Sequence, residues 1–289
     1  MVTVEKATPA MFDDIYPLLL ELDNTLSTEK WRSIFDYNWE SDEGYVGYAL
    51  VDGRTAVGFN GTLFSRRIID GKEVKFCNLT SWIVKEQYRS EAMRLVFPIL
   101  GLKGYTLTNL TMNDKAWSIT KRLGFKNLDT NTMLLFPVPE LTRSAERDSM
   151  TIESDLTKIT ELLDPEHLKI FRDHMKYACG HLVIHDKYSY CYILYTGKHY
   201  KRYNCEIPYG QIHYISNRSL FLKYLNKIKF HFLKNQKYVF LAIDERLIGN
   251  TPLPYSKVYP LKIPKMYKSE ILTAEQIDNL YSELVVLGL

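Results

Sequence analysis

Two Asp-Gly pairs, Asp52-Gly53 and Asp70-Gly71, constrain the fold of this chain more than any other feature. Alternating, largely apolar runs flank them: GYVGYALVD before the first, TAVGFNGTLFSRRII between them, and EVKFCNLTSWIV after the second. Asp-Gly suits the positive-φ positions of a tight turn, so each pair predicts a β-hairpin. Three strands joined in this way make an antiparallel meander. Upstream, residues 2–8 alternate like a short strand. Pro9 then opens a helical pattern through Met11, Ile15, Leu18, Leu19 and Leu22. A second helical stretch follows Ser27-Thr28-Glu29, a capping sequence, and carries Trp31, Ile34 and Phe35.

The pattern changes after Val84. KEQYRSEAMRLVFPILGLKG reads as a turn and then a helix, broken at Gly101 and Gly104. YTLTNLTM is a strand, and DKAWSITKRLGF a helix stopped by Gly124. TMLLFPVP is a last strand ended by its prolines. Residues 140–154 are polar and lack period, so a linker is expected there, between domains at 1–139 and 155–289. The second half repeats the grammar of the first: a helical stretch over 156–176, strands at HLVIHD, YSYCYILYTGKHY and NCEIPYGQIHYISN, and a helix at SLFLKYLNKIKFHFLKN. A strand at KYVFLAIDERL and a helical TAEQIDNLYSELVVL complete it. Two similar α+β lobes in tandem are expected. The alternative is one such lobe beside an unrelated α+β domain.

Composition narrows the function. At 289 residues the chain is long enough for two domains, and 46% hydrophobic with 25% charged residues describes a globular protein with a sizeable core. The formal charge of +3 comes without any run of five or six basic residues, so no nucleic-acid footprint is expected. Tyr16 to Leu22, the first apolar stretch, is short and interrupted by Pro17 and Glu21, which argues against a secretory signal. No apolar run is long enough to cross a bilayer. The four cysteines (Cys77, Cys179, Cys191 and Cys205) form no CxxC pair, so reduced thiols and a cytoplasmic location are expected.

The segment with chemical content is Ser81 to Phe125. A strand, SWIV, runs into Val84-Lys85-Glu86-Gln87-Tyr88-Arg89-Ser90-Glu91-Ala92-Met93-Arg94, and later come Asn113, Ala116, Thr120 and Gly124-Phe125. This order resembles the GCN5-related N-acetyltransferase (GNAT) superfamily. There the first turn usually reads V-x-P-x-Y-R-G-x-G-x-G/A, and the later helix N-x-x-A-x-x-x-Y-x-x-x-G-F. In element order the resemblance covers residues 1 to about 138; the second half lacks both motifs. It implies an α+β fold, a mixed and mostly antiparallel sheet flanked by helices. It also implies an acyl-CoA substrate. Trp82, Ile83 and Val84 would contact the pantetheine arm. The backbone N–H groups of Arg89, Ser90, Glu91, Ala92, Met93 and Arg94 would cradle the phosphates at a helix N-terminus. Asn113 and Ala116 would close over the thioester, with Ser81, Asn113 and Thr120 nearest the chemistry.

The sequence departs from the family pattern in three places. Ser90, Ala92 and Arg94 replace glycines that let backbone approach phosphate. Arg94 either adds a charge-assisted phosphate contact or blocks one. Thr120 stands where a tyrosine often protonates the departing thiolate, and Thr80 and Ser81 where a carboxylate base is common. Amine acylation tolerates such losses, because holding amine and thioester together supplies much of the rate. A water chain moves the proton, and a strand N–H polarises the carbonyl.

Elsewhere the bland readings are expected. His181 and His185 lie four apart on a strand with no third ligand in view, so structural roles are expected and no metal. His213 is assigned to structure rather than to a substrate cleft. Cys77 has no histidine in its half of the chain and reads as a buried apolar residue. Trp31, Phe35, Tyr37 and Trp39 serve equally as acceptor pocket or core. The expected function is transfer of an acetyl or short acyl group from acyl-CoA to a primary amine of a small metabolite, such as an amino sugar, an amino acid or a polyamine. The second lobe would shape the acceptor cleft, and the protein would be a monomer or homodimer. A long-chain or carrier-protein donor, and a non-catalytic CoA-sensing or interaction module, are the alternatives.

Overall fold

The computed structural model describes residues 1–138, 150–203 and 205–289. The chain begins with β1 (Val2–Lys6), followed by a 3-10 turn at Pro9–Met11 and α1 (Phe12–Leu22). α1 buries Phe12, Ile15, Leu18 and Leu19. That is one apolar stripe at helical spacing, worth about 1.5–3 kcal/mol per fully buried side chain. α2 (Thr28–Arg32) is capped by Ser27, whose hydroxyl accepts the Lys30 N–H at 3.3 Å. Both expected hairpins form. β2 (Gly47–Asp52), β3 (Thr55–Ile69) and β4 (Lys72–Val84) pair antiparallel in order. At the second turn Asp70 and Gly71 have φ of 51° and 74°, the two positive values such a turn requires.

After β4 the structure departs from expectation. Residues Glu86–Leu95 form a continuous 3-10 segment, and α-helix appears only in α3 (Phe97–Leu100). Pro98 accounts for this. In a longer helix it would lack the N–H for the Arg94 carbonyl and crowd that oxygen, whereas in the first turn of α3 it costs nothing. β5 (Tyr105–Asn109) then pairs parallel with β4, and α4 (Asp114–Arg122) follows.

The strand after α4 belongs elsewhere. β6 (Lys126–Leu135) starts in the first compact unit, but from Asp129 onward the chain belongs to the second. The second unit continues with β7 (Thr151–Glu153), α5 (Leu156–Leu162), α6 (Pro165–His174), β8 (Gly180–His185), β9 (Tyr190–Arg202) and β10 (Cys205–Ile215). Next come α7 (Arg218–Lys223), α8 (Leu225–His231), a π-helical turn at Phe232–Gln236 and β11 (Phe240–Asp244). The expected long helix is therefore three short segments. β7 to β10 pair antiparallel in sequence order and β11 joins β10 in parallel, which repeats the β1–β5 pattern of the first unit.

A strand not expected from the sequence, β12 (Ser256–Lys268), completes an exchange. Its last residues, from Lys265, belong to the first unit, and Met266–Lys268 pair antiparallel with β5. β6 correspondingly pairs antiparallel with β11. Each unit thus takes its sixth strand from the other half of the chain. Met266 joins the apolar core of the first unit, while Met133 and Leu135 of β6 join that of the second. The first unit is residues 1–128, 265–276 and 281–289; the second is 129–264 and 277–280. This replaces the expected division at 139 and 155. Residues 140–149 of the expected linker lie outside the described residues, and 151–153 are strand.

The expected final helix is likewise divided. It has a 3-10 turn at Ala274–Gln276, a left-handed Tyr281 at φ 55°, and the short α9 (Glu283–Val286). Asn279 anchors the second unit through Arg246 and Asp244, whereas Glu283 anchors the first through Asn78 and Thr111. A regular helix places one stripe against one core, and this segment serves two. Among the described residues, no helix is long and apolar enough to cross a membrane.

Candidate functional site

The site lies in the first unit, where β4 and β5 part. Their parallel pairing stops at Leu79 opposite Asn109. β4 runs on for five residues, Thr80–Val84, held by β3 on one edge. The other edge has no strand partner among the described residues, so its backbone N–H and C=O groups remain available to a ligand. A β-bulge marks the same place. Between the pairs Phe59–Ile83 and Gly61–Thr80, Asn60 alone faces both Ser81 and Trp82. Ser81 takes φ of 49°, a left-handed conformation that costs a non-glycine residue about 1–3 kcal/mol and concentrates at functional sites. Gly47 on β2 makes room for the single residue opposite the bulge, since a Cβ there would sit 2.4 Å from the Asn60 carbonyl oxygen.

A cavity of about 230 Å³ opens at the bulge. From the sheet it is lined by Asn60, Thr80, Ser81 and Trp82, and from α4 by Ala116 and Thr120. Asn113 lines it too and caps α4, its Oδ1 accepting the Ala116 N–H at 2.9 Å. Trp31 forms part of the wall. Phe35 and Trp39, by contrast, are core residues: Phe35 stacks on Phe59, and the Trp39 indole donates to the Phe64 carbonyl at 2.6 Å.

Two features give the cavity its chemistry. Asn60 is 1% exposed, and neither atom of its amide has a hydrogen-bond partner. The Trp82 indole N–H is also buried without a partner. Buried polar groups without a partner cost free energy, and water or a ligand in the cavity is able to supply one. At the rim, Asp23 accepts from the Thr25 hydroxyl at 2.6 Å and the Thr25 N–H at 2.8 Å, which hold its carboxyl below the usual carboxylate range. It therefore presents an anion at neutral pH.

Of the residues singled out by sequence, Ser81, Trp82, Asn113, Ala116 and Thr120 meet in this cavity. Ile83 and Val84 continue β4 along the unpaired edge. The six residues from Arg89 to Arg94 lie in the 3-10 segment, outside the cavity lining. Arg89 is paired with Glu86 at 3.2 Å. Arg94 bonds Glu91 at 2.7 Å and the Val2 carbonyl at 3.2 Å, so in this structure it ties the segment to β1. Sequence reasoning missed Asn60, Asp23, Thr111 and Glu283. For Asn60 a signal was present: Gly58 and Gly61 bracket it inside a strand, and interior glycines often mark a bulge.

The other candidates are structural. Burial pushes the Cys77 thiol well above its ordinary range. Burial also lowers His181 to about 4, where it shares a 2.7 Å hydrogen bond with the Tyr192 hydroxyl. His213 is buried and bonded to Thr196 at 2.8 Å.

A meander running into a strand pair that splays at a β4 bulge, with α4 beside the gap, is the fold of the GCN5-related N-acetyltransferases. The solved structure of such a protein from Anabaena variabilis matches with a TM-score of 0.58 at 12% identity, over 92% of this chain and 72% of that one. A GCN5-related N-acetyltransferase from Kribbella flavida matches at 0.57 with 12% identity, over 92% and 71%. A conserved protein of unknown function from Enterococcus faecalis matches at 0.60 with 11% identity, over 92% and 72%. No family model and no curated protein matches the sequence.

Proposed function

We propose that this protein is an acyl-CoA-dependent N-acyltransferase that moves an acetyl or short acyl group to a primary amine on a small metabolite. The observation that carries the reading is the unpaired edge of β4 beyond Leu79, opening on a cavity that holds the unpartnered amide of Asn60. The pantetheine arm lies along Ser81–Val84 and takes strand-like hydrogen bonds from that edge. The pyrophosphate lies beyond Val84, at the start of the 3-10 segment. There Arg89 exchanges its exposed Glu86 partner for phosphate, a trade that gives up about 1 kcal/mol or less. The acyl thioester sits at the bulge, where a backbone N–H polarises its carbonyl.

Asp23 draws the acceptor's ammonium form to the rim, and Asn60 holds the amine once it is neutral. A cavity of about 230 Å³ suits an acetyl group and a small amine rather than a long acyl chain. The acceptor class extends to amino sugars, amino acids and polyamines. A cytoplasmic location accords with four free cysteines.

The test is CoA release from acetyl-CoA with glucosamine, lysine and spermidine, in wild type and Asn60→Leu. Leucine removes the unsatisfied amide, so the variant is expected to be more stable by about 1 kcal/mol. Its transfer rate is expected to fall at least about tenfold. Unchanged transfer in the variant contradicts the assignment of Asn60. Tight acetyl-CoA binding by wild type without turnover on any amine points instead to a non-catalytic CoA-sensing module.

A further inference from the structure

We propose that Thr111 and Glu283 form a proton relay leading from the cavity wall into the core of the first unit. The inference rests on the acyltransferase reading above and supplies the proton acceptor that β4 lacks.

Thr111 follows β5 at the point where the strands part; it lines the cavity and is exposed. Its hydroxyl donates to Glu283 Oε1 at 2.7 Å. Glu283, at the start of α9, is 0% exposed. Its other oxygen accepts from the Asn78 side-chain amide, and Asn78 is fixed in turn by the Thr108 hydroxyl at 2.9 Å. The charged group facing Glu283 is Lys265 on β12; Asn78 and Thr111 are neutral. Burial raises the Glu283 carboxyl above its ordinary range, against the pull of Thr111, Asn78 and Lys265. A fully buried carboxyl whose one link to an open cavity is a hydroxyl is costly to build for stability alone. As a proton store beside a reacting amine it has a use.

The step balances. Attack of a neutral amine on the thioester carbonyl gives a tetrahedral adduct with a cationic nitrogen and an anionic oxygen. An N–H bond breaks, its electrons stay on nitrogen, and the proton passes to Thr111 Oγ1. The Thr111 hydroxyl proton moves to Glu283. Collapse of the adduct breaks the C–S bond and releases the thiolate. The proton then returns through Thr111 to the cavity, where the thiolate takes it. Glu283 touches no substrate and acts only through Thr111.

The test measures acetyl-CoA binding and CoA release across pH for wild type, Thr111→Val, Thr111→Ser and Glu283→Gln, with spermidine, glucosamine and lysine as acceptors. Thr111→Val and Glu283→Gln are expected to lower kcat about 100-fold, with KM for acetyl-CoA within about twofold. Wild-type kcat rises with pH as Glu283 ionises. The ratio of wild-type to variant kcat therefore climbs through that range, and titration of the amine itself cancels in the ratio. Thr111→Ser, which keeps the hydroxyl, recovers both rate and profile. A Thr111→Val enzyme with wild-type kcat and pH profile overturns the relay. So does a wild type that binds acetyl-CoA and acylates none of the amines. Failure of wild type to bind acetyl-CoA overturns the reading beneath it instead.

Discussion

Arg246→Met is expected to destabilise the second unit by about 3–5 kcal/mol, the cost of removing the cation from a buried ion pair. The side chains of Arg246 and its carboxylate partners Asp129 and Asp244 are each exposed by 3% or less. The guanidinium pairs with Asp129, meets Asp244 at 3.0 Å, and donates to Asn279 at 2.6 Å and to the Ile277 carbonyl at 2.9 Å. Methionine fills similar space and takes the cation away from two buried carboxylates. Asp129 comes from β6 and Asn279 from the divided final segment, so this one side chain fixes two stretches remote in sequence. Urea unfolding followed by amide exchange in β6 and β11 measures the effect. A loss below about 1 kcal/mol contradicts it. A triple variant that also changes Asp129 and Asp244 to leucine is expected to recover most of the loss, because charge and partner leave together.

In the cavity, Ala116→Trp is expected to weaken acetyl-CoA binding about 100-fold, or ~2.7 kcal/mol. Ala116 faces the space between α4 and the bulge, and an indole there occupies volume assigned to the thioester end. The side chain is partly exposed and lies in the first turn of α4, so the fold accommodates the larger residue. Calorimetric titration with acetyl-CoA checks this, with thermal unfolding as the control for folding. Binding within about threefold of wild type in a well-folded Ala116→Trp protein would place the cofactor elsewhere.

Local signals in the sequence translated directly into structure. The two Asp-Gly turns, the Ser27 cap and the Gly124 stop each act over four residues or fewer, and each is found where expected. What failed depended on distant partners. Pro260 and Pro264 punctuate β12 and hide it as a strand; the part that pairs with β5 is Met266–Lys268, just beyond them. β6 reads as the last strand of the first lobe, because nothing local reveals that Met133 and Leu135 pack into the other core. Pro98 is a local signal as well, and the replacement of an α-helix by a 3-10 segment follows from it. At the site, the family-like spacing located Ser81, Trp82, Asn113, Ala116 and Thr120 around one cavity. Asn60 and Glu283 came to light only through burial, since an orphaned amide and a solvent-free carboxyl are properties of packing.

The central claim is that the unpaired edge of β4 receives an acyl-CoA. Hydrogen–deuterium exchange with and without saturating acetyl-CoA tests it most directly, because the backbone N–H groups of that edge have no strand partner among the described residues to slow their exchange. Acetyl-CoA is expected to slow exchange in peptides covering Ser81–Glu86 and the start of α4 at Asn113–Ala116. No change in either peptide, or protection confined to the second unit, would contradict it.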